Sequence, residues 1–147
     1  MFDVNKLKTA GGAGYVTGRA PHKAIALLAM ARLQKDGQLD PERVDLMSRS
    51  LREAYNELWS KLGYARSSNA AQPLFHLISD GVYELKSSER PKTLKALADR
   101  EGPVKLSVEL RQAMQDGKLA GQILSSQFFS ADQVAALKGG EHVAGRV

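Results

Sequence analysis

The chain has 147 residues, a net charge of +5 and no cysteine. That length holds one domain with a proper core and excludes two comfortable ones. The missing cysteines exclude a disulfide framework, thiolate zinc sites and a cysteine nucleophile, and no apolar run approaches the roughly 20 residues of a membrane span. With 43% hydrophobic and 25% charged residues, the composition is that of a globular protein. The basic balance leans toward polyanionic partners, and a cytoplasmic location is expected from the lack of cysteine and of a signal-like apolar N-terminus.

Residues 1–18 contain Lys6, Lys8 and the run Gly11-Gly12-Ala13-Gly14-Tyr15-Val16-Thr17-Gly18. No Gly-Lys-Ser/Thr closes this run and no dinucleotide pattern is present, so it reads as a flexible arm, not a phosphate loop. Residues 19–37 are the most helical and most apolar stretch. Pro21 suits a helix start, Gly37 suits the position past its end, and Ile25, Leu27, Leu28, Met30 and Leu33 leave little polar face. A helix apolar nearly all round belongs at the centre of a core. Its first turn is basic: Arg19, His22 and Lys23 stand where free N–H groups and the helix dipole favour an anion.

Asp40 and Pro41 predict the start of a second helix. Its stripe runs through Val44, Met47, Leu51, Tyr55, Leu58 and Leu62, and Gly63 ends it. A polar loop follows. Residues 74–79 and 82–85, joined by Asp80-Gly81, then predict a β-hairpin. Residues 86–105 are irregular and basic, with room for a short helix near 92–100. Ser107 predicts a helix cap, with Asp116-Gly117 at the helix end. Residues 118–129 predict another helix, and Ser130 with Gln133 a capping box for a last one through Lys138. Residues 139–147 are expected to be disordered. The fold class is mainly α (α+β): a compact helical domain over 19–138, around a central apolar helix, with one β-hairpin.

The chemistry points to binding. His22, His76 and His142 are the only histidines, and none has a second ligand at metal spacing. No nucleophile pattern and no nuclease signature is legible. No catalytic residue, metal or cofactor is therefore expected.

Taken together, the ordered motifs resemble a family. They are Arg-Ala-Pro-His-Lys before an apolar helix; the helix ending near Trp59; Gln72-Pro73-Leu74-Phe75-His76-Leu77; Asp80-Gly81-Val82-Tyr83-Glu84-Leu85; and Ile123-Leu124-Ser125-Ser126-Gln127-Phe128-Phe129. In this order, over roughly residues 19–130, they look like the DNA sulfur-binding domain of phosphorothioate-dependent type IV restriction endonucleases. The resemblance implies a helical module that binds double-stranded DNA in which sulfur replaces a non-bridging phosphate oxygen. It implies a nuclease domain or partner elsewhere and no activity of its own. It matches His22 and Lys23, beside Arg19, to the groups at the modified phosphate. Pro73 matches the proline lining the sulfur pocket, between Gln72, where some members carry Tyr, and His76, which narrows the space. Base or backbone contacts are implied for Arg66, Ser67, Arg90, Lys92 and Arg100, with Arg100 first. The alternative is a non-specific DNA-binding or protein-interaction domain that kept the fold without sulfur recognition.

Overall fold

A computed structural model describes residues 1–9 and 12–146, with side chains as far as Lys138. The fold is mainly α. Helix α1 (His22–Lys35) is its axis: Ala24 through Ala31 are all buried, as is Leu33. Burying each large apolar side chain there is worth about 1.5–3 kcal/mol, so this one helix anchors much of the core. It packs on α2 (Arg49–Ser60), α3 (Ala71–His76) and α6 (Leu119–Leu124). Its C-terminal end closes as the sequence predicts. Gly37 takes φ 74°, and the N–H groups of Gly37 and Gln38 donate to the carbonyls of Gln34 and Leu33.

The second helix starts later than Asp40 suggests. Ser48 caps it, its Oγ accepting from the Leu51 N–H at 3.1 Å, and Leu51, Tyr55, Leu58 and Trp59 are buried. Asp40 instead closes a turn on the Glu42 N–H. The backbone of the 40–47 segment is taken up elsewhere: Val44 and Val104 exchange N–H···O bonds of 2.7 and 2.9 Å, and the Leu106 N–H donates to the Pro41 carbonyl. That pairing with the 104–106 segment keeps residues 40–47 out of the helix that Asp40 predicts.

The two-stranded antiparallel sheet exists, but not where Asp80-Gly81 places it. Residues 71–76 form α3 and Leu77–Asp80 a 3₁₀ turn, ended by Gly81 at φ 67°. Strand β1 (Tyr83–Glu84) pairs with β2 (Lys105–Leu106), Tyr83 opposite Leu106 and Glu84 opposite Lys105. Between them lies α4 (Leu94–Glu101), capped by Thr93. The 74–79 run is short and apolar, and periodicity does not separate helix from strand in such a run. Pro73 fits the third position of α3, where no intrahelical N–H is needed. Leu74 and Leu77, three apart, share the buried face.

Helix α5 (Val108–Gln115) is capped by Ser107 as predicted. Helix α6 is shorter than the expected 118–129, and Phe128 and Phe129 are buried beyond it. Helix α7 spans Ala131–Arg146. The predicted capping box opens it: the Gln133 N–H donates to Ser130 Oγ at 3.2 Å, and the Ser130 N–H to Gln133 Oε1 at 3.1 Å. The helix thus reaches past Lys138; the side chains of the expected disordered tail, 139–147, lie outside the described residues.

The N-terminal segment is not a free arm. Val4 and Leu7 are buried in the common core, and Asp3 caps a 3₁₀ turn over Val4–Lys6. A Cβ on Gly12 would fall on the Gly18 carbonyl, and Gly14 holds φ 88°. These glycines fold the run onto itself, and Thr17 Oγ1 ties it to the Phe128 carbonyl at 3.3 Å. Among the described residues no helix is long and apolar enough to cross a membrane.

Candidate nucleic-acid interface

A cavity of about 510 Å³ lies at the N-terminal end of α1. Lys8 and Thr9 contribute from the N-terminal segment, Tyr15 from the glycine-rich run, and Ala20, His22 and Lys23 from the helix start. Gln72, Pro73 and His76 come from α3, and Ser79 from the 3₁₀ turn after it. Helices α2, α4, α5 and α7 each have a side-chain oxygen on their first N–H groups. Among the described residues helix α1 has none, since Pro21 occupies the cap position and supplies no side-chain acceptor, and α6, which follows Lys118, has none either. The first turn of α1 thus has N–H groups without an intrahelical partner at the end where the cavity opens.

His22 is half-buried. Its ring stacks on Trp59 at 4.7 Å between centroids and meets the edge of Tyr15, whose hydroxyl lies 3.4 Å from Nε2. Burial, and then the Arg66 guanidinium nearby, push its pKa below the ordinary 6.5, so the ring is neutral at neutral pH. It is a hydrogen-bonding wall, not a cation. Tyr15 is held in turn by Arg66, which donates to its hydroxyl at 3.0 Å and lies over its ring at 4.7 Å. Arg66 thereby stands at the cavity's edge.

Lys23 is nearly enclosed. Its ammonium donates to Asp80 Oδ2 at 2.6 Å and to the Lys8 carbonyl, while Asp80 Oδ1 accepts from the Lys8 N–H at 2.7 Å. Lys8 Nζ reaches the Ser79 carbonyl at 3.2 Å. One carboxylate thus joins the helix start, the N-terminal segment and the turn after α3. Across from it, the Pro73 ring is buried, with Gln72 and His76 exposed on either side.

The structure brings His22, Lys23, Gln72, Pro73 and His76 around one cavity. Arg90 approaches from the loop after β1: it donates to Ser79 Oγ at 2.9 Å and lies over the Phe75 ring at 4.8 Å. Arg100 is committed elsewhere. It pairs with the buried Glu101 at 2.8 Å and donates to the carbonyls of Glu89 and Ser87, which shapes the loop instead of presenting a free fork to DNA. Arg19 likewise staples the fold, donating to Gln127 Oε1 and to the carbonyls of Asn5 and Leu7 above the Phe128 ring. Ser67 and Lys92 are exposed and do not line the cavity. Lys8, Thr9, Tyr15 and Ser79 are lining residues that sequence reasoning did not select. An aromatic residue inside a glycine-rich run was the one available signal, for Tyr15.

The arrangement sets a helix start and a buried proline ring on one cavity, with a neutral histidine and a carboxylate-paired lysine beside them. The chain matches no protein-family model, no curated protein and no solved structure.

Proposed function

We propose that this domain binds double-stranded DNA carrying a phosphorothioate backbone and acts in the cytoplasm as the recognition module of a modification-dependent restriction system. Cleavage belongs to a separate nuclease domain or partner. The observation that carries this reading is the shared cavity: an uncapped helix start and a buried proline ring face the same space.

Exchanging one phosphate oxygen for sulfur keeps the charge and makes one corner larger and less hydrated. The helix N–H groups suit the anion. The Pro73 ring offers no hydrogen-bond donor, so an oxygen set against it loses water without gaining a partner, at a cost of roughly 1–3 kcal/mol. A sulfur there loses little and gains about 0.8 kcal/mol of burial, as a methylene would. Together these give on the order of a hundredfold preference, at about 1.4 kcal/mol per tenfold. Lys8, Arg66 and Arg90 provide positive charge around the opening for neighbouring phosphates. Arg90, braced on Phe75 and Ser79, is better presented to a base edge than Arg100.

The test is a fluorescence-anisotropy titration of one short duplex with and without a single Rp phosphorothioate, across a panel of flanking sequences. At least tenfold tighter binding of the sulfur duplex is expected. Equal binding would leave a general duplex-binding domain, whose affinity falls with salt and ignores sulfur. No binding to either would leave a protein-interaction domain.

A further inference from the structure

We propose that Asp80 is a specificity-determining residue: it pairs with Lys23 and so withholds from the cavity a positive charge that would bind phosphate and phosphorothioate alike. This rests on the reading of the cavity as a sulfur site. The two anions carry the same charge, so the attraction of a bare ammonium adds equally to both and discriminates neither. Specificity is a difference of affinities, and a large common term favours the far more abundant unmodified backbone.

The geometry is that of a mask. The Lys23 and Asp80 side chains are 10% and 5% exposed, and the ammonium–carboxylate contact is 2.6 Å. Both carboxylate oxygens are used, Oδ2 on Lys23 and Oδ1 on the Lys8 N–H, so the pair is held from two sides. A lysine dedicated to a phosphate has no need of a carboxylate at hydrogen-bond distance. The cations beside the cavity contrast with it: Arg66 rests on a tyrosine and Arg90 on a serine and a phenylalanine, and among the described residues neither pairs with a carboxylate. Charge is thus kept at the rim, where it serves the duplex as a whole, and cancelled at the helix start, where the corner of one phosphate is tested. The same carboxylate holds the Lys8–Thr9 wall. A merely structural Asp80 would move stability, whereas a mask moves salt dependence and the sulfur preference.

The experiment measures affinity against salt for plain and Rp-phosphorothioate duplex with the wild-type chain, Asp80→Asn, and the doubly neutral Lys23→Gln/Asp80→Asn. The asparagine keeps an acceptor for the Lys8 N–H and removes the charge. Asp80→Asn is expected to bind plain duplex roughly tenfold tighter, because a charged hydrogen bond to phosphate becomes available. Its slope of log K on log salt should steepen by about 0.9, the value for one further phosphate neutralised, and the sulfur preference should shrink. A folded Asp80→Asn with an unchanged or shallower slope overturns the proposal. The neutral pair leaves no lone buried charge and serves if the single variant does not fold. It should show the wild-type slope on plain duplex, whereas a slope shallower by about 0.9 means that Lys23 already neutralises a phosphate, and this too overturns the mask. Equal binding of sulfur and plain duplex by the wild-type chain defeats the functional reading alone, since the slopes on plain duplex still decide about the mask. Absence of DNA binding by all three proteins defeats both.

Discussion

The two ends of α1 are built on opposite plans. At the C-terminal end the backbone is closed on itself: Gly37 and Gln38 turn back onto Gln34 and Leu33, and Arg32 donates to the Leu137 carbonyl at 2.8 Å. At the N-terminal end Pro21 gives no cap, and the polar groups around it come from outside the helix: Lys8 and Tyr15 from the segment before it and Asp80 from far along the chain. The first end is satisfied by its own turn and by one side chain's reach to the last helix. The second forgoes the roughly 1 kcal/mol that a serine or aspartate cap would add, and in exchange leaves donors facing a cavity. The start of α6 also lacks a side-chain cap; what sets α1 apart is the cavity that opens at its first turn.

Both ends hang on the same buried middle, so the largest effect should come from there. Leu28→Ala is expected to cost about 2–5 kcal/mol in denaturant unfolding, because Leu28 is fully enclosed. Gly37→Ala strains only the closed end. A Cβ there meets nothing, so the loss is the left-handed backbone cost of about 1–2 kcal/mol in stability, with DNA affinity unchanged. Pro73→Ala does the converse at the open end: the sulfur preference should fall about tenfold, mostly because plain duplex binds more tightly once its oxygen regains water. An equal loss of both affinities would remove Pro73 from the pocket.

The smallest effect is a pH dependence. His22 has its folded pKa lowered by burial and then by Arg66, so the unfolded chain takes up the proton more readily. The stability this gives is fully present above about pH 6.5 and is lost as pH falls through the window below it. Melting temperatures should therefore drop between about pH 7.5 and 5 more in the wild-type chain than in His22→Gln. A parallel drop in both would mean that His22 is not the group responsible.

Much of the closed plan was legible in the sequence because its signals are local. Pro21 and Gly37 bracket α1, Ser107 caps α5, and Ser130 with Gln133 opens α7, each within a few residues of what it satisfies. The errors came where two local signals competed. Asp40 and Ser48 are both good caps, and Asp80-Gly81 suits a hairpin turn as well as a helix stop. The open plan was legible only in part. His22 and Lys23 declare themselves by their position behind Pro21, and Pro73 was reached only through resemblance. Asp80 and Lys8 were not reachable, because what defines them is distance along the chain: Asp80 meets Lys23 and Lys8 across 57 and 72 positions. Tyr15 offered only its place as an aromatic residue in a glycine-rich run, and the Arg66 that holds it lies 51 positions away. Arg19 and Arg100 look the same as Arg66 and Arg90 in sequence. Only their partners, carbonyls and a buried carboxylate for the first two, separate a staple from a rim cation.

The seating of the N-terminal segment has a consequence for the chain as it is made. The Gln127 N–H donates to Asn5 Oδ1 across 122 positions, and Arg19 reaches the same glutamine. At about 5–20 residues per second, Asn5 waits on the order of ten seconds for the partner that fastens it. During that interval Val4 and Leu7 have no complete core to enter, and the wall made by Lys8 and Thr9 is unanchored at one end. The core, which takes Ile123, Phe128 and Leu137 together with Val4 and Leu7, and the seating of the N-terminal segment thus wait on the same late residues of the domain.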